Sequence, residues 1–186
     1  MIKMKRIILF AVIVIAGYNN VAAQKYYTKN GSISFFSKTA LEDIKADNNQ
    51  AMAVINTQTG ELQFSLLTKG FHFKKALMEE HFNADYMESD KFPKSTFKGS
   101  ITDISKVNFT KDGTYVVTVS GDLTIHGVTK KQTANSTITI KDGKIAGTSK
   151  FVVTVADYNI SIPKVYRDNI AKTVEVTVAC NYDQKM

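Results

Sequence analysis

Apolar and polar residues alternate through the second half of the chain, and this period of two constrains the fold more than any other feature. Between Tyr115 and Ile125 the odd positions are mostly apolar and the even positions mostly polar. The alternation returns at residues 137–140, 151–155 and 174–180. Successive side chains of a strand point to opposite faces, so the pattern predicts strands with one buried face.

Short turn sequences separate the alternating segments. Asp112-Gly113 and Asp142-Gly143 predict two hairpins, and Gln58–Glu61 predicts an earlier one. The predicted strands are Ile33–Ser37, Ala51–Asn56, Leu62–Leu67, Phe97–Phe109, Tyr115–Ile125, Gln132–Lys141, Ile145–Val155 and Val174–Tyr182. Sequential strands joined by tight turns form an antiparallel meander. The predicted fold is all-β, and about eight strands are enough to close a barrel that can hold one small ligand.

One segment of the chain has helical spacing instead. Between Phe71 and Pro93 the residues Phe73, Leu77 and His81 recur at intervals of four, and charged residues fall on the other face. This pattern predicts one short amphipathic helix from Lys74 to Asn83, inserted between two strands. Such an insert in an otherwise all-β sequence suggests a lid or plug at the mouth of the barrel.

The first 23 residues have the composition of a secretory signal peptide. Basic residues at positions 3–6 precede an apolar run from Ile7 to Ala16, which is shorter than the ~20 residues of a membrane-spanning helix. Small residues follow at 21–23, so we expect cleavage before Gln24 and a single domain over residues 24–186. The alternative is a retained N-terminal anchor helix. No cysteine follows the apolar run, so a lipoprotein anchor is not expected, and the domain is expected in the periplasm or outside the cell.

The composition of the domain argues against a nucleic-acid partner. Removing the three basic residues of the signal lowers the formal net charge from +7 to +4, and Arg167 is the only remaining arginine. Arginine is the residue that best recognises phosphates and base edges, so its scarcity does not suit nucleic-acid binding. Cys180 is the only cysteine and lies on the apolar face of its strand, which predicts an inert core residue and no intramolecular disulfide.

Signatures of catalysis and metal binding are missing from the sequence. It contains no Gly-x-Ser-x-Gly motif and no histidines at the spacing of zinc ligands. We therefore expect no catalytic residue, no metal site and no cofactor. His81 and His126 are expected to have packing or surface roles.

An exported barrel of this size can lie in water or in the outer membrane. A membrane barrel turns its apolar face to lipid and its polar face to the lumen. The clustered Phe and Met residues of the helical insert need an apolar surface, and the lumen is the nearest one. We therefore expect an apolar lumen and a water-soluble protein without stable membrane insertion.

The chain carries three motifs in order, at residues 81–99, 123–130 and 157–160, that together resemble those of the YceI-like family. Leu123–Lys130 reads LTIHGVTK and resembles the family's L-T-x-x-G-V-T-K turn. Residues 81–99 resemble its F-F … Y-P-x-x-x-F segment, with Phe92-Pro93 and Phe97 at matching positions. Asp157–Ile160 stands where the family often has D-F-G-I. The resemblance implies a lipocalin-like eight-stranded barrel, periplasmic or secreted, in a family with members that bind polyisoprenoid or similar lipids in the lumen.

An apolar lumen must be filled either by side chains or by a ligand. The predicted ligand is an apolar, lipid-like molecule of isoprenoid or fatty-acid type. The candidate ligand-binding residues are Phe35, Leu62, Phe64, Leu66, Phe71, Phe73, Leu77, Met78, Phe82, Tyr86, Met87, Phe97 and Tyr115. Two alternatives stay open: the same residues pack as a solid core, or the barrel is a scaffold whose loop Asp157–Ile170 binds a partner. The sequence does not predict the oligomeric state.

Overall fold

Eight long strands close into an antiparallel barrel. The computed structural model describes residues 24–186, so the predicted signal peptide lies outside the described residues. The strands are β1 (Lys25–Lys38), β2 (Asp43–Asn56), β3 (Glu61–Leu67), β4 (His72–Phe73), β5 (Lys94–Ile101), β6 (Gly113–Ile125), β7 (Val128–Lys141), β8 (Lys144–Thr154), β9 (Thr173–Tyr182) and β10 (Gln184–Lys185). Each long strand pairs with the next one along the chain, and β9 pairs with β1. The predicted all-β, eight-stranded, lipocalin-like barrel with one short helical insert is confirmed.

The first two strands are longer than predicted. The sequence predicted Ile33–Ser37 and Ala51–Asn56, whereas β1 and β2 both have 14 residues. They pair along almost their whole length, with irregular register near Gly31. Backbone hydrogen bonding to a neighbour therefore extends both strands through polar residues that carry no alternation.

The predicted strand Phe97–Phe109 is wrong in its second half. β5 ends at Ile101, and a short 3₁₀ helix follows at Ile104–Lys106. Its apolar residues do not continue the wall but pack against the core at one end of the barrel. Asp112-Gly113 consequently does not form the predicted hairpin, because residues 102–112 lie between β5 and β6.

Two tight hairpins set the register of β6, β7 and β8. The predicted Asp142-Gly143 turn joins β7 to β8, and both residues have positive φ, at 52° and 71°. His126 and Gly127 have nearly the same φ values, 50° and 73°, and join β6 to β7. Positive φ at both central residues is the type I′ conformation that matches the twist of paired strands.

The helical insert is shorter than predicted and ends in a different geometry. The predicted helix was Lys74 to Asn83, whereas α1 spans Ala76–His81 and continues as one π-helical turn over Phe82–Tyr86. Further short 3₁₀ turns lie at Thr68–Gly70, Val155–Tyr158 and Lys164–Tyr166. Among residues 24–186, no helix has the length and apolar composition needed to cross a bilayer.

The interior is solid at one end only. At the end of the barrel near the β7–β8 turn, buried side chains from the wall and from residues 102–112 form the main core. This core includes Ile55, Ile101, Val107, Val117, Ile140, Ile145 and Cys180. Smaller clusters lie toward the other end, where the lumen is hollow. The barrel therefore has a closed end and an open end, called here the mouth.

Cys180 provides a test of packing at the closed end. Its side chain is buried, and burial raises the pKa of the thiol to about 12. Because the thiolate is the reactive form, we expect no reaction of the native protein with a water-soluble disulfide reagent at neutral pH, and full reaction in denaturant. A Thr133→Cys variant, whose added thiol lies on the exposed outer wall, is the reactive control. Native labelling of Cys180 at the rate of the control thiol would show that the closed end admits solvent.

Candidate functional site

The hollow half of the barrel is an apolar cavity of about 650 Å³. All eight long strands contribute to its wall, and α1 and the loop between β8 and β9 lie around its mouth. The apolar face of the alternating strands thus points inward, as the sequence predicted. The cavity rests on the main core, which closes it from below.

Twelve of the thirteen predicted ligand-binding residues line this cavity. They are Phe35, Leu62, Phe64, Leu66, Phe71, Phe73, Leu77, Met78, Phe82, Tyr86, Met87 and Phe97. Tyr115 does not line it. Its ring packs against the main core at the closed end, and its hydroxyl donates a hydrogen bond to the Lys111 carbonyl oxygen at 3.1 Å. Tyr115 points into the barrel as its alternation predicted, but it lies below the cavity.

Sequence reasoning missed two parts of the lining. The first is the wall formed by β6, β8 and β9, whose alternation predicted an apolar face but whose residues were not among the predicted ligand-binding ones. Its members include Leu123, Ile125, Phe151, Val153, Val174 and Val176. The second is the loop predicted as a partner site, since Ile160, Ile162 and Ile170 of that loop line the cavity. Their spacing of two and then eight residues gave no periodic signal.

Four phenylalanine rings hold the helical insert against the barrel. Phe82 lies 5.5 Å from Phe35, 5.7 Å from Phe71 and 5.0 Å from Phe73, measured between ring centroids. Phe35 of β1 also meets Phe71 edge to face at 5.3 Å. Such pairs add roughly 0.5–1.5 kcal/mol each beyond simple burial. The cluster therefore fixes one side of the mouth.

Glu42 connects the segments around the mouth. It lies in the turn between β1 and β2, and its carboxylate accepts a hydrogen bond from Lys75 Nζ at 2.9 Å. Its second oxygen lies 3.5 Å from the Asn169 side-chain amide, on the long loop. The ionisable lining residues Glu42, Lys75 and His81 all lie at the mouth, and Nδ1 of His81 lies 2.6 Å from a carboxylate oxygen of exposed Asp85. The deep wall of the cavity carries no such charge within residues 24–186.

His126 forms a second connection beneath the mouth. This side chain is only 8% exposed, and its ring lies edge-on to Phe92. Nδ1 lies 3.0 Å from the Tyr158 carbonyl oxygen, and Nε2 lies 2.9 Å from a carboxylate oxygen of Glu88. Both partners are acceptors, so both ring nitrogens donate only when the imidazole is protonated. His126 thus ties the β6–β7 turn to the segment after α1 and to the loop after β8.

The contact with His126 affects both the backbone and the pKa of Glu88. Its φ is +41°, a strained value for a residue with a side chain, which shows that surrounding contacts hold it in place. The hydrogen bond from His126 lowers the pKa of the Glu88 carboxyl, and nearby Lys91 lowers it further. Within residues 24–186, no three His, Cys, Asp or Glu side chains are grouped as metal ligands would be.

Replacing Glu88 by glutamine is expected to make stability less dependent on pH. A carboxylate whose pKa is lowered by folding stabilises the native state above its unfolded pKa, and loses that effect as pH falls through the folded pKa. The wild type should therefore exceed Glu88→Gln in free energy of unfolding at neutral pH, and the two should converge in acid. Urea denaturation across the acidic range measures this difference. Asp90→Asn, at an exposed neighbouring carboxylate, is the control; a Glu88→Gln difference that is constant with pH would contradict the assignment.

Solved structures of other proteins share this barrel. A polyisoprenoid binding domain from Saccharophagus degradans, described as implicated in plant cell wall breakdown, aligns with a TM-score of 0.72 at 16% identity, covering 84% of this chain and 95% of that one. BcnA from Burkholderia cenocepacia aligns with a TM-score of 0.64 at 16% identity, covering 80% and 94%. The YceI protein of Campylobacter jejuni aligns with a TM-score of 0.51 at 15% identity, covering 99% and 92%. At identities of 15–16%, these alignments show that the proteins share a fold and nothing further.

The family follows from the sequence match. No curated protein matches the chain. The YceI-like domain, however, matches residues 21–182, which is most of the chain and includes every long strand of the barrel. The hollow barrel, the LTIHGVTK turn at its mouth and this match agree, and the chain belongs to the YceI-like family.

Proposed function

We propose that this protein is an exported, water-soluble barrel that carries an apolar, lipid-like molecule of isoprenoid or fatty-acid type in its lumen, without catalysis. The observation that supports the proposal most is the cavity of about 650 Å³ with an almost wholly apolar wall. One relative of the same fold is described as a polyisoprenoid binding domain. The predicted lining residues of the insert and of β3 would form part of the contact with the molecule, together with the walls of the other strands.

The volume of the cavity favours a carrier over a solid scaffold. The lumen is open at its mouth, so without a guest its apolar wall would face water, which is unfavourable. The opening at the mouth lets a guest enter, and burying apolar surface stabilises the complex by roughly 25 cal/mol per Å².

The outer wall supports a protein that works in water. The residues of β7 that alternate with the lumen-facing ones are all polar. They are Thr129, Lys131, Thr133, Asn135, Thr137 and Thr139. A wall in contact with lipid would need apolar residues at these positions. Export is proposed from the basic, apolar and small-residue segments in residues 1–23.

Native mass spectrometry of protein purified from its own host tests the carrier. We expect a mass adduct of lipid size that disappears on extraction with organic solvent, and a lipid in the extract. The control is an Ala134→Trp variant expressed in the same host, because a bulky side chain at this lumen position takes the place of part of the lipid and should reduce the adduct. An adduct-free mass in the wild type would count against the carrier, and a copurifying protein would favour the scaffold alternative.

A further inference from the structure

Two serine hydroxyl groups meet on the deep wall of the cavity. Ser136 of β7 and Ser149 of β8 lie directly opposite each other and both line the cavity. Ser136 donates a hydrogen bond to the Ser149 oxygen at 2.9 Å, and Ser136 is only 7% exposed. The lining residues beside Ser136 along the strand are Ala134 and Ile138. A polar pair thus interrupts an apolar wall.

This pair lies at the floor of the cavity, far from the mouth. Val128 begins β7 at the mouth, and Ser136 lies eight residues farther along, roughly 26 Å at about 3.3 Å per residue. The next lumen-facing residue, Ile138, belongs to the main core that closes the barrel. Gly147 and Tyr182 line the same deep part of the cavity. Any group that meets the two serines therefore lies at the bottom of the cavity, beside the main core.

Ser149 has hydrogen-bonding capacity left for a guest. A serine hydroxyl has one hydrogen to donate and can accept on its oxygen. Ser149 accepts from Ser136, so its own hydrogen remains available for donation. Gly147, two residues away on the same face, leaves space beside it, because a Cβ added there would meet no atom closer than 3.5 Å. The floor can therefore receive an acceptor atom.

The residues around the two serines favour an uncharged acceptor atom on the guest. The charged lining residues lie at the mouth, so a carboxylate or phosphate at the floor would be buried without a counter-charge. Burying an unpaired charge in this way costs several kcal/mol. Burial also raises the pKa of Tyr182 well above its ordinary value, which keeps its phenol neutral. Nothing at the floor within the described residues would compensate an anion.

We propose that the cavity floor binds a neutral oxygen of the guest, so that a long-chain alcohol, ketone or amide enters oxygen end first and receives a hydrogen bond from Ser149. The inference rests on the proposed carrier function and adds the orientation and the chemical class of the guest. A fatty acid would bind the other way, with its carboxylate at the mouth near Lys75.

Competition binding with four probes of equal chain length tests this orientation. A fluorescent apolar dye is displaced from the purified barrel by an alkane, a primary alcohol, a methyl ketone or a fatty acid. In the double variant Ser136→Ala with Ser149→Ala, we expect alcohol and ketone affinity to fall by about three- to tenfold, the worth of one hydrogen bond. Alkane and fatty acid affinity should not change. The carbonyl stretch of an isotopically labelled ketone should lie at lower frequency in the wild type than in the double variant.

A matched pair on the outer wall controls for general effects. Ser120 and Thr133 form the same kind of cross-strand hydroxyl contact at 2.9 Å between β6 and β7, but face solvent. The variant Ser120→Ala with Thr133→Ala should bind all four probes as the wild type does. Equal loss for alkane and ketone, or an unchanged carbonyl frequency, would overturn the floor site while leaving the carrier intact. Failure of every probe to bind the wild type would instead overturn the carrier and the floor site together.

Discussion

Replacing Gly121 with alanine is expected to lower the free energy of unfolding by about 3 kcal/mol, the upper end of what overpacking usually costs. Gly121 of β6 lies directly opposite Gly99 of β5. A Cβ at Gly121 would lie 2.4 Å from the Gly99 Cα and from the Lys98 carbonyl oxygen, and 2.7 Å from the Phe97 ring. Two of these atoms belong to the backbone, so a change of rotamer cannot relieve the contact. Urea denaturation of the purified variant measures the effect.

Gly143→Ala provides the matched control. Gly143 has a φ of +71° and no atom within 4 Å of an added Cβ, so alanine there causes backbone strain without collision. That strain costs roughly 1–2 kcal/mol. A Gly121→Ala variant no less stable than Gly143→Ala would show that β5 and β6 are farther apart than the structure has them. The glycine pair matters for the cavity too, because the Phe97 ring packs over it and lines the wall.

Alternation predicted the strands in the second half of the barrel well, because each of these strands buries one face and exposes the other. β6 to β9 bury one face against a common interior, and the turns from β6 to β7 and from β7 to β8 are short, so the period of two is visible in the sequence. β2 differs, because Asn48 is wholly buried at a position where alternation calls for an apolar residue. Its amide donates to the Leu67 carbonyl oxygen at 3.0 Å and its oxygen accepts from the Gln50 backbone at 2.9 Å. These hydrogen bonds form only in the folded chain. The sequence therefore shows a polar residue at position 48 and no alternation from which the strand could be predicted.

The error after Ile101 has a related cause. Ile104 and Val107 are apolar and lie near the end of an alternating segment, which reads as more strand. In the structure they turn inward and cover the closed end of the barrel. Hydrophobic spacing reports that a side chain is buried but not which element buries it. A loop that plugs a barrel therefore looks like a continued wall.

Most of the lining residues could be predicted from the sequence, but the presence of an unfilled cavity could not. Large aromatic residues in the insert and β3 were sound candidates because few other places in a small barrel can bury them. Phe97 and Tyr115 both point inward, and only their positions along the barrel axis separate lining from core. That axial position depends on the register of strands distant in sequence. The same holds for the contact of His126 with Glu88, 38 residues apart in the chain.

Placing tryptophan at Ala134 is expected to weaken lipid binding by roughly 50- to 100-fold. Ala134 lines the cavity midway along β7, between lining residues Gln132 and Ser136. An indole there would displace on the order of 100 Å² of ligand contact, worth about 2.5 kcal/mol at ~25 cal/mol per Å². The cavity has room for the ring, so the variant should fold with stability near that of the wild type. Dye displacement and urea denaturation measure the two quantities.

The control variant Thr133→Trp has the same side chain one residue away on the outer wall, where it should leave binding unchanged. The sequence contains no tryptophan, so each variant carries a single fluorescent reporter. Emission should be blue-shifted for the lumen position and red-shifted for the outer one, which shows that each ring lies where intended. If Ala134→Trp had blue-shifted emission and still bound lipid like the wild type, the lipid would lie outside the lumen. The lipid would then have to bind on the outer wall, whose β7 residues are Thr, Lys and Asn. The emission wavelength and the lipid affinity, measured together, therefore distinguish binding in the lumen from binding outside it.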